Sequence, residues 1–169
     1  MDAQRLLDFL TDTETSLLSR GYFTLRLEEE FKKSWRYGFE LSLVVFEIEG
    51  FDALASKEGD AAVRSAVLDI SSEILAASRD TDLSTRLSNN RFAIALTGTG
   101  EDGCRAFGER VLGNLVDGAF GRYGLRAGAT VSPADGLGSV EEFIGRAETA
   151  LSASSAEAKG MVIWNAAAR

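Results

Sequence analysis

The chain has no histidine, one cysteine and one proline among its 169 residues. The first absence excludes most. Without imidazole there is no His general base, no His proton shuttle and no His-ligated zinc or iron site. Cys104 alone forms neither an internal disulfide nor a thiolate cluster, which removes disulfide-stapled folds and structural zinc sites. No apolar run reaches the roughly 20 residues of a membrane span, and MDAQRLLDFL opens without the basic head and long apolar stretch of a secretory signal. The expected setting is cytoplasmic, with no membrane insertion. Positive charge is in deficit, 18 Lys and Arg against 26 Asp and Glu, for a net charge of -8. Broad binding to a nucleic-acid backbone is therefore not expected, and an anionic ligand must be held by a few local arginines.

What is present is a globular pattern. The length and the 45% hydrophobic content fit one domain with its own core. Leu6, Leu7 and Leu10 set a short lead-in helix over Asp2 to Leu10, with packing or dimer contact as its expected role. Phe23, Leu27, Phe31 and Trp35 recur every four positions between Ser19 and Tyr37, which predicts a helix stopped at Gly38, with Trp35 in or at the edge of the core. LSLVVFEIE, Leu41 to Glu49, reads as a strand buried on both faces. A helix bearing Ala62, Val63, Ala66, Val67, Ile70 and Ile74 follows and ends near Arg79. DLSTRL and RFAIALT then read as two strands joined at Asn89-Asn90, a pair that tolerates positive φ. A helix over Glu101 to Val116, a strand over Gly124 to Ser132, a helix over Val140 to Ser155 and a closing strand over Met161 to Trp164 complete a mixed α/β sheet covered by helices.

Three groups of residues carry possible chemistry, and each has a plain alternative. Glu47-Ile48-Glu49 ends a buried strand. Two acids there suit Mg²⁺, and they equally suit a strand end emerging into solvent. Arg79 and Asp82 stand at a helix end before a hairpin, where an arginine fork and an acceptor can face a phosphate or a purine edge, or simply pair with each other. The same Arg-x-x-Asp spacing occurs at Arg5 and Asp8. Ser88-Asn89-Asn90-Arg91-Phe92 reads as a polar binding loop or as an ordinary hairpin turn.

Together these elements resemble the GGDEF family, the diguanylate cyclases that join two GTP into cyclic di-GMP. The resemblance runs from about Asp12 to Val162. The family's opening D-x-L-T-G-L-x-N-R-x-x-F is echoed by Asp12, Thr15, Leu17, Arg20 and Phe23, and its strand-end D-x-D-x-F by Glu47-Ile48-Glu49-Gly50-Phe51. RDTDLSTRLSNNRF aligns without a gap on the family's R-x-x-D, five-residue spacer and signature hairpin. The resemblance implies a nucleotide-cyclase-like palm, an α+β fold with a mostly antiparallel sheet of about five strands. It divides the chain into a lead-in helix, 1–11, and a degenerate GGDEF domain, 12–169.

The resemblance also implies which parts are altered. Ser88 and Asn89 replace the glycines that let backbone approach GTP. Asn90 replaces an acid that joins the strand-end carboxylate in holding Mg²⁺, and Arg91 puts a cation beside that site. Ala55 and Arg64 fall on the guanine-reading positions in an ungapped register, and Ser155 on a phosphate-binding lysine. In contrast, the product-binding inhibitory site is matched by Arg79 and Asp82, with Arg110 at a position that relatives supply from a neighbouring subunit. The expectation is a catalytically inactive domain with a vestigial metal site at Glu47, Ile48 and Glu49. It needs no cofactor, holds Mg²⁺ weakly if at all, and binds cyclic di-GMP through Arg79, Asp82 and Arg110. Its expected partners are a second copy of the chain or another signalling protein. The alternatives are a ligand-independent interaction or dimerisation domain, and a residual cyclase or GTP-binding regulator.

Overall fold

A computed structural model describes residues 3–116, 124–134, 136–155 and 160–164. Its elements in chain order are α1 (Ala3–Leu10), α2 (Arg20–Tyr37), β1 (Leu41–Ile48), α3 (Phe51–Glu58), α4 (Asp60–Ala77), β2 (Leu83–Arg86), β3 (Arg91–Thr97), α5 (Glu101–Val116), β4 (Leu125–Ser132), α6 (Val140–Ala153) and β5 (Met161–Ile163). The five strands form one sheet in the order β2-β3-β1-β4-β5. All neighbours are antiparallel except β4 and β5.

The buried character of β1 on both faces follows from its central place. Val44, Phe46 and Ile48 face a cluster with Ile70 and Ile74 of α4 and Val111 of α5. Leu41, Leu43 and Val45 face Phe23, Leu27 and Phe31 of α2 and Phe143 and Leu151 of α6. The sheet is therefore sandwiched between two helical layers, with each fully buried Phe or Leu contributing about 1.5–3 kcal/mol. The layer of α6 sits close because β4 carries Gly128. A Cβ there would collide with the Leu151 backbone and meet the Ala147 carbonyl oxygen at 2.6 Å.

Two expectations are corrected. Trp35 is 53% exposed, and Ser34 takes the buried place instead, its Oγ donating to Ser132 Oγ at 2.9 Å. At about 100° per residue, Trp35 has drifted about 120° from Phe23, whereas Ser34 lies within about 20°. The Asn89-Asn90 turn is made without a positive φ at either residue; Ser16 is the non-glycine residue with that geometry among the described ones. Helix α3 was not foreseen. It is a short segment between Gly50 and Gly59, both at positive φ, and Leu54 is its buried residue.

Candidate functional site

Glu47 is the penultimate residue of β1, and both flanking strands place an arginine opposite it: Arg91 of β3 and Arg126 of β4. Its side chain is only 9% exposed. Arg91 Nε donates to Oε2 at 2.5 Å, and Arg126 reaches Oε1 through Nε at 2.9 Å and also through Nη2. Burial raises the Glu47 pKa, but the hydrogen bonds and charges of the two guanidinium groups outweigh it and hold the carboxyl below its ordinary value. Arg126 also lies 3.5 Å from Glu49, and Arg91 lies 4.0 Å from Glu148 of α6.

The hairpin turn beside this cluster is closed by side chains of the hairpin itself and of α2. Arg20 Nη1 donates to the Leu87 carbonyl at 3.3 Å, Arg86 Nε to that of Ser88 at 3.1 Å and Arg86 Nη2 to that of Asn89 at 2.9 Å. The Asn90 carbonyl accepts the Ile48 N–H at 2.9 Å, and the Asn90 amide returns a bond to the Ile48 carbonyl at 3.4 Å. Arg86 is itself held by Glu14 at 2.8 Å, and Arg64 of α4, at an expected guanine-reading position, approaches the same carboxylate at 3.9 Å. Cavities of about 510 and 570 Å³ flank the cluster, the first between α2, the sheet and α6, the second along Glu47 to Asp52 and the hairpin.

This donor set does not suit Mg²⁺, which prefers carboxylate, carbonyl and water oxygens. Glu47 already meets two guanidinium groups, the Ile48 carbonyl meets an amide N–H, and Asn90 brings no charge. Among the described residues no group of three or more His, Cys, Asp or Glu side chains stands ready for a metal ion.

The second site lies at the far end of the hairpin. Arg79, Asp82 and Arg110 line one cavity of about 200 Å³ together with Thr99, Gly103 and Phe107. Asp82 is largely occupied by backbone: Oδ2 accepts the Arg79 N–H at 2.8 Å and Oδ1 the Thr97 N–H at 3.1 Å, which ties the α4–β2 turn to the end of β3. Arg110 Nη2 donates to the Ala77 carbonyl at 3.1 Å, at the end of α4, so its guanidinium is fixed on the same side as Arg79. Arg79 is exposed. Two cations thus share a small cavity on a chain of net charge -8.

Three side chains of this cluster were not expected from the sequence to bond as they do: Arg126, Arg20 and Arg86. The signal for Arg126 was present in the register, since it opens a strand antiparallel to β1 and falls opposite Glu47. Spacing alone does not reveal a pairing made across α5. No helix among the described residues is long and apolar enough to cross a membrane.

A five-stranded sheet with an antiparallel core, helices over both faces and a hairpin beside the end of its central strand is the palm architecture of the nucleotide cyclases. Within that class, the family model described as diguanylate cyclase, GGDEF domain, matches residues 9–160, and the chain belongs to the GGDEF family. The GGDEF domain of DgcB from Caulobacter crescentus, solved in complex with c-di-GMP, superposes with a TM-score of 0.82 at 18% identity, covering 96% of each chain. The GGDEF domain of PA1120 (TpbB or YfiN) from Pseudomonas aeruginosa gives 0.80 at 20% identity over 92% of this chain and 94% of its own. Diguanylate cyclase SiaD from the same organism, in complex with its activator SiaC, gives 0.77 at 20% identity over 95% of this chain and 64% of its own. Among curated protein sequences none matches.

Proposed function

We propose that this chain is a GGDEF domain that does not make cyclic di-GMP but binds it, through Arg79 and Arg110 beside Asp82, and relays its presence by contact with a second copy or another signalling protein. The observation that carries the reading is the contrast between the two ends of the hairpin. At one end the strand-end carboxylate is neutralised by two arginines and the turn carbonyls are taken by side chains and backbone. At the other, two arginines line one cavity. Metal-assisted phosphoryl transfer depends on cations that bridge and neutralise the phosphates, which Asn90 and Arg91 do not help to recruit. The DgcB domain is a relative solved with c-di-GMP, and SiaD is a relative that works with a protein activator.

The test is a paired assay on purified protein: thermal unfolding with cyclic di-GMP or with GTP and Mg²⁺, and turnover of GTP. The reading expects stabilisation by cyclic di-GMP alone and no product. Accumulation of cyclic di-GMP from GTP rejects inactivity, and absence of any response to cyclic di-GMP rejects the receptor.

Two observations favour a second reading, a ligand-independent interaction domain. Asp82 and Arg110 both have fold-internal partners, and Trp35, Tyr37 and Phe39 form an exposed aromatic run at the end of α2, Tyr37 and Phe39 being 60% and 63% exposed. This reading expects no response to either nucleotide.

A further inference from the structure

The Glu47 cluster is more than a damaged metal site, because its parts are mutually satisfied. A buried carboxylate with one missing neighbour is ordinarily left as a costly unpaired charge. Here Glu47 receives one arginine from each adjacent strand, at positions where the register sets the three side chains on one face of the sheet. The remaining Nη1 of each guanidinium continues outward, that of Arg126 to the Ser154 carbonyl at 3.5 Å and that of Arg91 toward Glu148, while Arg126 Nε lies between Glu47 and Glu49. Strand β1, the hairpin, β4 and the end of α6 are thereby joined through one carboxylate.

We infer that Arg91 and Arg126 are this domain's resident counter-ion, supplying at Glu47 the positive charge that a divalent cation would otherwise bring, so that the hairpin is held against β1 without metal and the cleft takes up neither Mg²⁺ nor Mn²⁺. Three independent features agree. The guanidinium groups meet both Glu47 oxygens, the Asn90 amide covers the Ile48 carbonyl, and Arg20 and Arg86 close the carbonyls of Leu87, Ser88 and Asn89. The inference stands whether or not the chain binds cyclic di-GMP. It also explains why the substitutions at Asn90 and Arg91 sit together: a neutral amide beside a cation suits an ion-paired turn, whereas an acid beside a cation would compete with Glu47 for Arg91.

The experiment titrates Mn²⁺ into wild type, Arg91→Ala and Arg91→Lys, following free Mn²⁺ by electron paramagnetic resonance and thermal unfolding in Mg²⁺, Mn²⁺ or chelator. Wild type is expected to leave the Mn²⁺ signal unchanged and to melt at one temperature in all three media. Arg91→Ala should melt lower by about 4 °C or more, with Arg91→Lys intermediate because it keeps the charge but loses the fork. Withdrawal of one Mn²⁺ per wild-type chain, abolished in Glu47→Gln, overturns the inference, as does wild-type melting in Arg91→Ala. If Arg91→Ala does not fold, the wild-type titration and Arg91→Lys decide the question.

Discussion

Arg91 stands directly across the sheet from Glu47, in the antiparallel register of β1 and β3, and donates to its carboxylate at 2.5 Å. Opposite charges so placed, with the acid buried, should be energetically coupled. A double-mutant cycle of Glu47→Gln and Arg91→Ala is expected to give a coupling of about 1–3 kcal/mol in urea unfolding. A coupling within error of zero would show the pair to be incidental.

Acid stability should report the same contact. Burial raises the pKa of Glu47 and of Asp12, yet bonds from Arg91 and Arg126 in one case, and from the Thr15 hydroxyl and nearby N–H groups with the Arg86 charge in the other, leave both below their ordinary values. A carboxyl whose folded pKa is depressed stabilises the fold above its unfolded pKa and loses that contribution as pH falls through the folded one. Wild-type stability should therefore decline from about pH 4 downward. In Glu47→Gln the decline should be shallower, measured as the pH dependence of the urea midpoint.

Asp82 and Arg79 should separate fold from ligand. Both Asp82 oxygens accept backbone N–H groups, so Asp82→Ala is expected to cost about 1–3 kcal/mol of stability with no ligand present. Exposed Arg79 should be replaceable by Ala within about 0.5 kcal/mol. Loss of ligand binding in Asp82→Ala is then not diagnostic, whereas loss in Arg79→Ala is.

Gly128 makes the approach of α6 possible, because backbone rather than a yielding side chain lies where its Cβ would go. Gly128→Ala should destabilise by about 1–3 kcal/mol, toward the upper end. Chemical denaturation of that variant beside Gly113→Ala, where no atom lies within 4 Å of an added Cβ, provides the control.

Cys104 is fully buried, and burial pushes its thiol up to about 11. A thiol reagent at pH 8 should not modify the native chain within the time that labels it fully in denaturant. Rapid native labelling would mean that α5 opens readily.

Most of the layout was legible because it rests on local pattern. The unbroken apolar run of β1 requires a strand covered on both faces, and the large-small alternation in RFAIALT marks a strand, whose two neighbours only the register reveals. Trp35 misled because repeated steps of four overrun a helix of 3.6 residues per turn. Helix α3 was hidden because its eight residues carry a single buried position, Leu54. At the site, hairpin spacing points toward the Glu47 and Arg91 pairing, but Arg126 arrives only after α5 has crossed the sheet. Asp82 shows a deeper limit: a carboxylate that accepts from a ligand and one that accepts from its own backbone have the same sequence.

On the proposed function, the arginines at the Asp82 turn hold cyclic di-GMP while the Glu47 end does not engage GTP. Isothermal titration of cyclic di-GMP into wild type and Arg79→Ala, with GTP and Mg²⁺ as the parallel titrant, tests it most directly. Micromolar binding to wild type is expected, with a loss of at least about tenfold in Arg79→Ala, equivalent to about 1.4 kcal/mol, and no heat from GTP. Equal affinity in both proteins, or binding of GTP with Mg²⁺ alone, would contradict it.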